Sequence, residues 1–295
     1  MLITHIKLRF GYNGFAILFH NGENCFDERG QTSQIMKKRI ISAIIMAIIF
    51  IPLLIIGNLP FTVCISILSM ASIYELLKLK PNLPLIIKIF TYLETLIIVL
   101  FNTLKLNGNE NTLLMLLLVI NLSLLVFIDD REKYNYKDAF YLIGIILFIG
   151  ISFKNFIYLR DKNLNTLIYL FLITITTDSF ALFTGKLFGK HKLAPNISPN
   201  KTIEGSIGGS IVGTIAASIF YILIIKDFKN IFMVIALTLF LTIIGQLGDL
   251  IKSSIKRYEG IKDFSNLIPG HGGIIDRLDS IIFVMMTYIL IIGMF

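Results

Sequence analysis

Nine runs dominated by Ile, Leu, Phe and Val fill most of the chain beyond residue 39: residues 40–56, 59–77, 85–101, 112–128, 138–157, 164–184, 203–225, 231–250 and 277–295. Each is close to the roughly 20 residues needed to cross the hydrocarbon core of a bilayer. No water is available there to satisfy backbone N–H and C=O groups, so such runs must be helical. A hydrophobic fraction of 55% and a mean hydropathy of +0.80 also exceed what a soluble domain needs. The expectation is an all-α, polytopic integral membrane protein with about nine transmembrane helices. The two soluble domains that 295 residues would otherwise allow are excluded.

Loop charge orients the helices. With the N-terminus cytoplasmic, the inner segments hold 17 Lys and Arg and the outer segments hold 6. The positive-inside rule therefore favours a cytoplasmic N-terminus and nine crossings, with the fifth weakest because Lys154 lies near its end. Residues 1–35 mix charges with short apolar pieces and read as an N-terminal extension outside the functional chain, which would begin at Met36-Lys37-Lys38-Arg39. Residues 36–160 then form the N-terminal transmembrane helices, and residues 161–295 a catalytic transmembrane domain with cytoplasmic loops. Cys25 and Cys64 match no metal spacing. The net charge of +8 fits anionic lipid and nucleotide phosphate, not nucleic acid, because the aromatic residues lie in the apolar runs and not among the bases.

Carboxylates are costly beside hydrocarbon and usually face a polar cavity or a partner. Glu75, Asp178, Asp249, Asp276 and Asp279 all fall toward the cytoplasmic ends of their runs, which argues for one site. Glu94, in the middle of the third run, reads as a structural hydrogen-bonding group. The densest segment is Gly248–Ser280, where four Asp, three Lys, two Arg and the sole His-Gly-Gly stand between two apolar runs.

On a helix Asp249, Ser253 and Lys256 share one face, as do Asp276 and Asp279. Carboxylate and hydroxyl oxygens suit Mg²⁺, which is held by one or two carboxylates plus substrate phosphates. The alternative is that Asp276 complements a helix N-terminus and Asp249 serves as a salt-bridge partner. Pro269-Gly270-His271-Gly272-Gly273 breaks the helix, and its glycines allow backbone N–H groups to face an anion. His271 either donates to a phosphate or simply packs. Lys256, Arg257, Lys262 and Arg277 can neutralise phosphate charge, or set topology. Upstream, Ser198-Pro199 reads as a helix N-cap followed by proline, with Lys201 in the first turn. Gly205, Gly209 and Gly213 repeat every four residues, a device for close helix contact within one chain or in a homodimer.

Ser254, Lys256-Arg257, Lys262-Asp263, Pro269-Gly270-His271-Gly272-Gly273, Asp276-Arg277 and Asp279-Ser280 together resemble the signature of the phosphatidate cytidylyltransferase (CDP-diacylglycerol synthase) family. Ser198-Pro199-Asn200-Lys201-Thr202-Ile203-Glu204-Gly205 resembles the same family's upstream region. The resemblance implies CTP and phosphatidic acid as substrates, CDP-diacylglycerol and pyrophosphate as products, and Mg²⁺, one ion or two, as cofactor. It implies a bacterial-type inner membrane, with the site facing the cytoplasm. The catalytic residues it implies are Asp249, Asp276, Lys256, Arg257 and Asp279, with Asp249, Asp276 and Ser253 as metal ligands. Substrate would be held by Lys201, Asp178, Ser198, Lys262, Asp263, His271, Gly272, Gly273 and Arg277. The rival readings are a CTP-dependent polyprenol-type kinase and an ion-coupled transporter using the buried acids.

Overall fold

A computed structural model describes residues 28–105, 109–128, 130–226, 230–270 and 272–294, with the backbone alone for 28–39 and 294. Among the described residues there are nine α-helices: α1 (Glu28–Ile56), α2 (Asn58–Leu77), α3 (Leu85–Leu100), α4 (Glu110–Phe127), α5 (Tyr136–Lys162), α6 (Leu164–Phe188), α7 (Ile203–Phe220), α8 (Ile231–Tyr258) and α9 (Ile275–Met294). A π-helical turn, Tyr221–Ile225, extends α7. The only strands among them are β1 (Lys192–Ala194) and β2 (Ser198–Thr202), an antiparallel hairpin between α6 and α7. The fold is thus all-α apart from this hairpin. Six helices are long and apolar enough to cross a membrane: α2, α4, α5, α6, α7 with its π turn, and α8.

Local sequence sets where helices begin. Asn109, Asn135, Asn163 and Asn230 each cap a helix by accepting a backbone N–H two residues on, and Asn135 with Asp138 completes a capping box. Helix α7 corrects the expectation for Ser198. Its cap is Thr202, whose Oγ1 accepts the N–H of Gly205 at 3.1 Å, while Ser198 and Pro199 lie in β2. A proline without an N–H is tolerated in a short edge strand, so the Ser-Pro pair never needs a helix. Lys201 consequently sits at the end of the strand, not in a helical turn.

Helix α5 is the centre of the molecule. It packs on α2, α3 and α4 on one side and on α6 and α9 on the other, burying Ile149, Phe153 and Phe156. It runs through Lys154 to Lys162, because the buried Lys154 ammonium pairs with Glu110 in the first turn of α4. Arg160 donates to the carbonyls of Leu54 (3.1 Å) and Ile55 (2.8 Å), tying the end of α1 to α5. Glu94 is buried as a structural group: it accepts from Asn121 Nδ2 at 2.6 Å, and the Tyr134 hydroxyl donates to the Asn121 carbonyl at 3.1 Å. Burial, with Glu94 and Asp138 nearby, pushes the Tyr134 hydroxyl up to about 12, so it remains a donor.

The glycine stripe lies against α6. A Cβ at Gly209 would stand 2.6 Å from the Thr177 carbonyl oxygen and 2.8 Å from the Ala181 methyl, closer than atoms tolerate. Ile207, Ile211, Ile215 and Ile219 are exposed along α7 at the same four-residue spacing, as a lipid-facing side should be. The close-contact face is therefore used within one chain, against α6.

Candidate active site

Helix α8 continues as a helix beyond its membrane-length segment to Tyr258, which carries Asp249, Lys252 and Lys256 on a single rigid rod. Residues 259–274 then fold back toward it. Gly260 (φ 67°) makes the turn, and Ile268 and Gly272 pair backbone to backbone at 2.9 and 3.1 Å. The chain re-enters a helix at α9, whose first turns hold Asp276, Arg277 and Asp279. Opposite stand the end of α6, with Asp178 and Lys186, and strand β2, with Asn200 and Lys201.

Between these elements lies a cavity of about 520 Å³. Of the residues expected in the site, Asp178, Lys201, Asp249, Lys256, Asp263, Asp276, Arg277 and Asp279 line it. They come from α6, β2, α8, the loop and α9, so side chains up to about a hundred positions apart in sequence meet in one hollow. Lys186, Gln246, Thr202 and Ser206 line it as well, together with apolar Leu182 and Leu193.

Four of the cavity's five acids have defined partners. Lys201 pairs with Asp249, and the buried Lys252 pairs with Asp279 and donates to the Ile275 carbonyl. Lys256 reaches Asp276 Oδ1 at 2.9 Å, while Oδ2 accepts the N–H groups of Phe264 and Gly273, each at 3.0 Å. Ser280 Oγ donates to Asp178 at 3.2 Å. Asp178, Asp249 and Asp279 all line this one hollow, and like charges gathered in one place favour a shared cation.

Other expected residues lie elsewhere. Ser253 is half-buried on α8 and is not among the cavity-lining residues, nor are Ser198 and Lys262. Arg257 points to the hairpin, its Nε donating to the Ile197 carbonyl at 3.2 Å. Gly272 and Gly273 are buried, and their N–H groups already donate to the Ile268 carbonyl and to Asp276. Their amides thus hold the loop together and do not face an open anion site. Gly272, at φ 85°, has the left-handed backbone that favours glycine. His271 lies outside the described residues. Glu75, expected among the acids of the site, is fully buried at the end of α2 and does not line the cavity.

The donor set suits Mg²⁺. Asp249, Asp276 and Asp279 offer hard oxygens, and such an ion needs only one or two carboxylates when phosphates supply the rest. Among the described residues no three acids or imidazoles already stand in ligating geometry, since Lys201, Lys252 and Lys256 each hold one of the acids.

The sequence model of the cytidylyltransferase family matches residues 37–295. The chain belongs to this family. It is 35% identical over 270 residues to a phosphatidate cytidylyltransferase of Bacillus subtilis (strain 168), covering 88% of this chain and 98% of that protein. It is 36% identical over 253 residues to the Staphylococcus haemolyticus (strain JCSC1435) phosphatidate cytidylyltransferase, covering 85% and 96%. The Staphylococcus aureus (strain COL) protein of the same name is 35% identical over 256 residues, again covering 85% and 96%. Gln246, which lines the cavity, and Lys252, which pairs with Asp279 behind its wall, are residues that reading the sequence overlooks. Lys252 was within reach of that reading, because it stands three residues after Asp249 on the same helical face.

Proposed function

We propose that this protein transfers the cytidylyl group of CTP to phosphatidic acid, giving CDP-diacylglycerol and pyrophosphate. The observation that carries the reading is the cavity itself: in a membrane-helical member of the cytidylyltransferase family, Lys201, Lys256 and Arg277 line it beside Asp249, Asp276 and Asp279. A lipid phosphate and a nucleotide triphosphate are both anions, and this hollow is lined with the cations to receive them.

A phosphatidate oxygen attacks the α-phosphorus of CTP. One P–O bond forms there as the bond to the bridging oxygen of the β-phosphate breaks, and pyrophosphate leaves with that electron pair. A phosphate monoester is nucleophilic at neutral pH, so positioning and charge neutralisation do the work. Lys201, Lys256 and Arg277 hold phosphate oxygens, and Asp249 positions Lys201 through their ion pair. Asp249, Asp276 and Asp279 would hold Mg²⁺, one ion or two, which neutralises triphosphate charge when bound. The apolar Leu182 and Leu193 give the lipid tails a wall to follow. Nine crossings, a cytoplasmic N-terminus and a site facing the cytoplasm of a bacterial-type inner membrane complete the reading, since CTP is a cytosolic solute.

The test is purified protein in detergent with Mg²⁺, phosphatidate and radiolabelled CTP. Pyrophosphate release, with label from the cytosine ring moving into lipid, is expected. Lipid labelled only from the γ-phosphate would instead mark a kinase, and absence of both under varied lipid and metal conditions would end the reading.

A further inference from the structure

Glu75 does not line the cavity, yet its hydrogen bonds among the described residues go to the loop and helix start that carry Asp263, Asp276, Arg277 and Asp279. Its Oε1 accepts from Ser265 Oγ at 2.6 Å and from the Ile274 N–H at 2.8 Å, and its Oε2 accepts from the Ile275 N–H at 3.0 Å. The side chain is completely buried. The partners lie 190 to 200 residues further along the chain, so α2 caps the N-terminal end of α9 from outside that helix. Backbone N–H groups at a helix start are orphan donors with partial positive charge, and a carboxylate satisfies both demands.

The contact also explains a glycine of the loop. A Cβ at Gly273 would stand 2.7 Å from both Glu75 oxygens, so only glycine lets the carboxylate this close. From Ile275 the chain passes directly to Asp276, whose Oδ2 ties back to Gly273 and Phe264. Glu75 and Asp276 thus clamp residues 264–276 from two sides, and Arg277 and Asp279 follow within one turn. The end of α2 is in turn fixed to α5, where the Tyr141 hydroxyl donates to the Leu76 carbonyl at 2.9 Å.

We infer that Glu75 is a positioning residue: through Ile274, Ile275 and Ser265 it sets the register of α9, and so places Asp276, Arg277 and Asp279 in the cavity. It touches no substrate. The inference rests on the reading of the cavity as the cytidylyltransferase site. The geometric arm of its test stands apart from activity.

The experiment compares full-length wild type, Glu75→Gln and Glu75→Asp in detergent, by hydrogen exchange and by steady-state kinetics normalised to folded protein. In Glu75→Gln one amide donor must confront a donor, so exchange at residues 274–275 is expected to accelerate while the membrane part of α9 is unchanged. Turnover should fall by about 10²-fold with the KM for CTP changed little, as misplacement of reacting groups by ~1 Å can cost that much. Glu75→Asp, which keeps the charge on a shorter stem, should recover part of the turnover. If Glu75→Gln does not fold, Ser265→Ala removes one of the three bonds and is expected to show the same pattern more weakly. Unchanged exchange at 274–275 would overturn the anchor, and accelerated exchange with unchanged turnover would overturn the positioning role. Wild type without cytidylyl transfer would remove the proposed activity while leaving the exchange result to decide the anchor.

Discussion

Lys252 carries an ammonium group into the interface between α8 and α9, where its side chain is 6% exposed. Its partners are the Asp279 carboxylate and the Ile275 carbonyl. Removing one member of a buried ion pair leaves the other charge desolvated and unpaired, which costs about 3 kcal/mol or more. Lys252→Met is therefore expected to lower the thermal unfolding midpoint in detergent clearly. Lys190→Met, at an exposed site, should leave it nearly unchanged. Equal midpoints for the two variants would show that the Lys252–Asp279 pair contributes nothing. At this scale the sequence reveals residue types but not partners. The acids and bases of 248–280 stand out because hydrocarbon makes them costly, whereas the Glu75 contacts span nearly 200 positions and follow only from the packing of α2 against the loop. The depth of Glu75 was readable, and its role was not: an acid at the right depth can serve the wall as readily as the cavity.

The helices show where local chemistry is legible and where it misleads. All nine apolar runs carry helices, because a backbone in lipid has no other way to satisfy itself. Their ends are set by other forces. Helices α5 and α8 run on to Lys162 and Tyr258, past the apolar stretch, because paired charges at Lys154, Asp249 and Lys256 let the helix continue. The start of α7 reads from the sequence as capped by Ser198, but the chain caps it with Thr202. Thr202→Ala is therefore expected to cost about 1 kcal/mol of stability, the usual value of an N-cap hydroxyl, while Ser198→Ala should stay within about 0.5 kcal/mol. Chemical or thermal unfolding of the two variants side by side decides the matter. A larger loss for Ser198→Ala would mean that α7 begins earlier than Ile203.

For the molecule as a whole, the proposed activity and the distribution of loop charge predict one orientation. The hairpin and the long end of α8 lie on the side that bears most of the loop cations, and Arg257 of α8 bonds the Ile197 carbonyl of the hairpin. The α5–α6 junction near Asp161 belongs to the opposite, cation-poor set of loops. CTP can reach the cavity only from the compartment that contains it, so the hairpin side must be cytoplasmic if the proposed activity is right. Single cysteines introduced into a variant lacking Cys25 and Cys64 read this directly. Asn196→Cys, in the hairpin turn, should react with a membrane-impermeant maleimide only after the cells are permeabilised. Asp161→Cys, on an exposed residue, should react in intact cells. The reverse pattern would place the cavity away from its nucleotide. Labelling of both positions from outside would break the alternation that nine crossings require, and with it the assignment of α5 and α6 as consecutive spans.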